Sequence, residues 1–170
     1  MKSKLFAALF LILSAASMPL ARAGDKIESP VSRARAKEMT ASNYKPGALQ
    51  HVVVFKFKND VTEGQIEQTK IRFLELQKKC VRKGHPYIKS LQAGRANSYE
   101  GADQGKQIGF IVTFASEGDR NFYVGQPLID AQDAAYYDKA HVEFKNFVGP
   151  LLATPVVPEG VFVFDFAVTR

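Results

Sequence analysis

The chain has a single cysteine, Cys80, in 170 residues. No internal disulfide can form, so the core must hold the fold unaided. Cys80 falls on an amphipathic helical stretch, where a small buried apolar residue is the plain reading. A reactive thiol or an intermolecular disulfide is the alternative. Long apolar runs are also missing. The only unbroken one, Leu5 to Leu13, is too short to span a bilayer. There is no Arg-rich helix and no nucleic-acid motif. Nor is there a Gly-rich phosphate loop, a carboxylate pair or a Ser-His-Asp spacing. No metal ligand set and no cofactor motif can be read, because isolated histidines do not make a site. Internal repeats are absent.

What is present begins with a targeting pattern. Lys2 and Lys4 precede the apolar run, and Ala21-Arg22-Ala23 supplies the small-x-small cleavage signature. Residues 1–23 therefore read as a signal peptide cut before Gly24. No cysteine follows the run, which argues against a lipoprotein anchor. The expected product is exported, periplasmic or secreted, with no stable membrane insertion. It keeps 147 residues, one domain's worth. Lys2, Lys4 and Arg22 leave with the signal, so 20 basic residues face 17 acidic ones, a net +3. That modest excess gives no reason to expect a nucleic-acid partner.

Residues 24–47 read as a flexible arm: polar, with Pro30 and Pro46, and short of large apolar residues. Within it, residues 31–39 have the composition of a short helix. The folded part then predicts strand, helix, strand, strand, helix, strand. The first strand is 49–58. A capping box, Thr62 with Gln65, opens a helix that places Ile66, Phe73, Leu76 and Cys80 on one stripe and ends at Gly84 and Pro86. Strands follow at 87–96 and 107–115. A short helix runs from Ser116 to Tyr123, a second main helix spans 130–152, and a last strand covers 160–169.

This order is the ferredoxin-like α+β plan, β-α-β-β-α-β, with a four-stranded antiparallel sheet. The strands are apolar on both faces. Val53, Phe55 and Phe57 oppose Val52 and Val54; Phe110, Val112 and Phe114 oppose Ile111; Val161 and Val163 oppose Phe162, Phe164 and Phe166. Two helices cover only one face of a sheet. A second copy can cover the other, so the pattern predicts a homodimer, two subunits forming a dimeric α+β barrel.

Several short markers, in order, resemble one family. They are His51 in the first strand, Phe114 followed by Asp119 to Tyr123, Ala140-His141 with Phe144, and Phe164-Asp165-Phe166. Over 49–168 the chain resembles the stress-responsive dimeric α+β barrel, or Dabb, domain. The resemblance implies the dimeric barrel and a stress-associated protein. The family also contains a plant polyketide cyclase. By likeness to it, His141 and an upstream tyrosine would be catalytic and His51 would line the pocket. Counting forward from Phe114 selects Tyr123; counting back from His141 selects Tyr136 or Tyr137. Residues 124–135 look like an insertion relative to that enzyme.

On its own residues, His141 has two main readings. Tyr137, His141, Phe144, Val148 and Leu151 share one helical face. His141 is then either a core histidine or a general base in a cavity between the helix and the sheet. Candidate ligand contacts are His51, Val53, Phe55, Phe73, Phe110, Val112 and Phe144, which form an apolar and aromatic lining. Asp165 reads as a carboxylate satisfied by backbone or a basic partner. His85, in a loop before Pro86, has no assigned role. Two functions stay open: an exported barrel binding a small apolar or aromatic molecule, or a cyclase- or lyase-type enzyme using His141 as base.

Overall fold

The computed structural model describes residues 30–169. The signal segment and residues 24–29 of the arm lie outside them. Helix α1 (Arg33–Met39) is followed by β1 (Pro46–Phe55), α2 (Glu63–Lys79), a tiny hairpin of β2 (Val81–Arg82) and β3 (His85–Pro86), then β4 (Ser90–Arg95) and β5 (Ile108–Ser116). Helix α3 (Glu117–Val124), α4 (Lys139–Val148) and β6 (Val161–Ala167) complete it. The four long strands form one antiparallel sheet in the order β4-β5-β1-β6, so the first strand is central and the last is an edge. This is the ferredoxin-like arrangement expected from the sequence.

Local chemistry explains the element ends. Thr62 and Gln65 form the reciprocal capping box at the start of α2. Ser116 caps α3 through the Asp119 amide. Gly125, at φ +59°, turns the chain out of α3. Tyr137 packs against Gly125 so closely that a Cβ there would lie 2.7 Å from the tyrosine Cβ. The second main helix is shorter than 130–152. Its regular part starts only after Asp138, whose side chain accepts from the His141 amide. Upstream, residues 134–136 make a 3-10 turn, and 149–151 make another downstream. Phe57 leaves the sheet to bridge with Leu152, so the first strand ends before residue 58.

The described part of the arm is docked rather than free. Ala36, Met39 and Thr40 are buried. Arg82 donates to the Thr40 carbonyl, and Asn121 donates to that of Met39. Gly118 sits directly beneath the Ala41 carbonyl, where any side chain would clash. The Val31 amide donates to Leu128, and Arg33 pairs with Asp133 at 3.2 Å.

One face of the sheet packs on α2, α3 and α4. Val53, Phe55, Phe57, Phe110, Val112 and Phe114 are all buried there with Phe73, Leu76 and Phe144. Cys80 is fully buried at the end of α2, and burial pushes its thiol pKa up, which makes it a packing residue with little thiolate character. The other face is open in the single chain. Val52 is opposite both Ile111 and Phe164, and Val54 is opposite Phe162. Phe162, Phe164 and Phe166 remain 48%, 56% and 40% exposed.

Candidate functional site

Between the helix-covered face of β1 and β6 and the helices α3 and α4 lies a cavity of about 600 Å³. Val53, Phe55, Phe73, Phe144, Val148 and Val163 supply apolar wall. Segments 126–128 and 156–157 border it. Its polar groups are few and converge, as expected of a small-molecule site.

His51 and Asp165 are there because of strand register. They are directly opposite on β1 and β6, and the His51 Nδ1 lies 2.6 Å from an Asp165 oxygen. A carboxylate accepts, so Nδ1 carries the proton and donates. Arg120 of α3 donates to the other Asp165 oxygen and to Asn121. Burial raises the Asp165 carboxyl, but the His51 and Arg120 contacts outweigh it and hold the group below its ordinary value. The resulting chain runs from His51 through Asp165, Arg120 and Asn121 to the Met39 carbonyl of the docked arm.

His141 sits one helical turn before Lys145 on α4 and is only 8% exposed. Its Nδ1 lies 2.6 Å from the Tyr123 carbonyl. The acceptor is again fixed, so Nδ1 donates and Nε2 is left with its lone pair. Burial, and next the Lys145 charge, drive the His141 pKa well below that of free imidazole, against the opposing pull of the Tyr123 carbonyl. The ring is therefore held neutral. Among the described residues neither His51 nor His141 has a protein partner for Nε2, and both rings line the cavity.

The sequence candidates divide. His51, Val53, Phe55, Phe73, His141 and Phe144 line the cavity. Phe110 and Val112 do not. Phe110 stacks on Phe73 at 3.8 Å behind the wall, and Val112 is fully buried in the core. The tyrosines also fall elsewhere. Tyr123 stacks flat on His141 at 3.7 Å and meets His51 edge-on at 5.7 Å, so it touches both imidazoles through its ring. Its hydroxyl is buried away from the cavity without a protein partner among the described residues. Tyr137 lies outside α4, and its hydroxyl donates to the Ala131 carbonyl. The helical face assumed for Tyr137 fails because α4 begins only after Asp138. Thus no His–Tyr hydroxyl dyad is assembled. His85 is exposed on the hairpin.

Arg120, Asn121 and Lys145 join the site although the sequence reading gave them no site role; Arg120 and Asn121 lie within the Asp119 to Tyr123 marker. Asp165 was legible as a carboxylate with a basic partner, but its partnership with His51 needed the register. Lys145 was findable as the residue one turn after His141. No group of three or more His, Cys, Asp or Glu side chains that could hold a metal occurs among the described residues.

The model of the Stress responsive A/B Barrel Domain, Dabb, matches residues 49–168. Among curated proteins none matches the chain. Among solved structures, an Arabidopsis thaliana protein is similar at 24% identity and TM-score 0.53, over 72% of this chain and 96% of its own. A hydroxynitrile lyase from Passiflora edulis is similar at 20% identity and TM-score 0.54, over 74% and 96%. A dimeric ferredoxin-like protein of unknown function from Jannaschia is similar at 16% identity and TM-score 0.53, over 72% and 100%. At these identities the likeness is one of fold.

Proposed function

The chain belongs to the stress responsive A/B barrel domain family, and from that premise we propose that it is an exported homodimer binding a small apolar or aromatic molecule in the cavity beneath α4. The observation that carries this reading is the cavity itself. About 600 Å³ of mostly apolar space is fitted with two imidazoles whose Nδ1 atoms are engaged and whose Nε2 atoms are not. Each ring thus keeps one nitrogen available to a molecule in the cavity.

Dimerisation is supported by the open apolar face around Val52, Val54, Ile111, Phe162 and Phe164. A shallow depression of about 670 Å³ on that face, lined by Val52, Val54, Ile111 and Phe162, is what a second copy would cover. The Jannaschia relative is described as dimeric. Export rests on the Leu5 to Leu13 run and the Ala21-Arg22-Ala23 signature.

A second reading is favoured by one specific observation. The His141 Nε2 lone pair is fixed in an apolar cavity by the Nδ1–H bond to Tyr123, which is the geometry of a general base. Under a cyclase- or lyase-type chemistry, His141 would take a substrate proton, and His51, oriented by Asp165, would accept from a substrate hydroxyl through Nε2.

The binding reading is tested with N-phenyl-1-naphthylamine, a neutral dye that brightens in apolar pockets. Val163 shares the cavity-facing side of β6 with Val161 and Asp165 and is half exposed, so Val163→Trp fills the cavity without overpacking the core. Saturable dye binding to the full chain is expected, weakened about tenfold or more by Val163→Trp at unchanged thermal stability. Equal affinity in both proteins would place the dye elsewhere and sink the reading.

A further inference from the structure

Lys145 is the one charge on the cavity wall without a protein counter-charge among the described residues. Its ammonium donates to the Val124 carbonyl at 2.9 Å and the Gln126 carbonyl at 3.0 Å. An ammonium has three donors, so two are taken by carbonyls at and just beyond the end of α3 and one is left. Among the described residues the only acidic side chain on the wall is Asp165, which is already bound by His51 and Arg120. Arg120 is thus neutralised and Lys145 is not. Among the described residues its hydrogen-bond partners are these two carbonyls, and no acidic side chain pairs with it.

This residue is partly buried in an apolar pocket, where an unpaired charge is costly. Burial accordingly lowers its pKa. The two carbonyls offset part of the cost, that of Val124 as the last carbonyl of α3. The remaining donor and the net charge face a space walled by Phe144, Val148 and Phe55.

Resting on the reading of this cavity as a binding site, we propose that its ligand is an anion: a small aromatic or aliphatic carboxylate, with Lys145 as its counter-ion. The apolar body lies against the phenylalanines. The carboxylate completes the third hydrogen bond of Lys145 and supplies the charge the wall lacks. A charge-assisted hydrogen bond of this kind selects an acid over a neutral isostere by about tenfold or more.

The experiment compares 2-naphthoate with 2-naphthamide, equal in shape, as displacers of bound N-phenyl-1-naphthylamine from the full chain at pH 7.5. Naphthoate is expected to compete about tenfold more strongly than the amide. In Lys145→Gln, which keeps a donor for the Val124 and Gln126 carbonyls, and in Lys145→Met, the two are expected to agree within about twofold, because naphthoate loses more affinity than the amide. Equal competition in the wild type, or a preference surviving both variants, overturns the proposal while leaving the cavity reading intact. Displacement by neither compound overturns both. Should Lys145→Met lose the fold, the wild-type ratio and Lys145→Gln decide.

Discussion

Replacement of His141 by alanine is expected to remove most ligand affinity, and about 10²–10⁴-fold of any turnover if the ring acts as a base. The ring also contributes to stability. It donates to the Tyr123 carbonyl and stacks on the Tyr123 ring at 3.7 Å. Its loss leaves a buried carbonyl unpaired, at a cost of about 1–3 kcal/mol. A second readout separates the two roles. The folded ring binds its proton less tightly than free imidazole, because burial disfavours the cation. Below about pH 6.5 the unfolded chain therefore binds more protons than the folded one. Stability from this group is full above that pH and declines as pH falls towards the lowered folded value. Urea midpoints at pH 8 and pH 5.5 measure the slope, which His141→Ala is expected to flatten. A variant that loses stability and keeps its affinity would make His141 a packing residue only.

Val54→Asp is expected to prevent the proposed homodimer from forming and to leave a monomer that still folds. Val54 points to the open face between Phe162 and Gly109, and it is only half-buried in the single chain. A carboxylate there stays hydrated in a monomer and is desolvated only when a second sheet closes over it. The same closure buries Phe162, Phe164 and Ile111, each worth roughly 1.5–3 kcal/mol as an upper figure before association costs. Sedimentation velocity with circular dichroism reads both properties. An undiminished dimer would exclude this face as the interface.

The two-faced strands, the capping box and the order of elements made the fold legible, because each is a local pattern with a fixed period. The docked arm was not legible. Its polar residues signalled freedom, while its anchors are backbone carbonyls at Met39, Thr40 and Ala41, which no sequence pattern exposes. The start of α4 was misplaced for a related reason. Apolar spacing continued upstream through Tyr137, but the Asp138 cap ended the helix there. His141 was found by its helical spacing. Its partner was sought among tyrosine hydroxyls, whereas the second imidazole is fixed by Asp165, 114 residues away and visible only through strand register.

The account depends most on two imidazole Nε2 atoms facing one ligand space. Nitrogen-15 NMR of the histidine-labelled protein with saturating 2-naphthol, whose hydroxyl can donate, tests this directly. The Nε2 resonance of His51 or of His141 is expected to move as that ring accepts the single naphthol hydrogen, while both Nδ1 resonances and exposed His85 stay in place. Bound naphthol that leaves both Nε2 resonances unmoved would contradict the assignment of this cavity as the functional site.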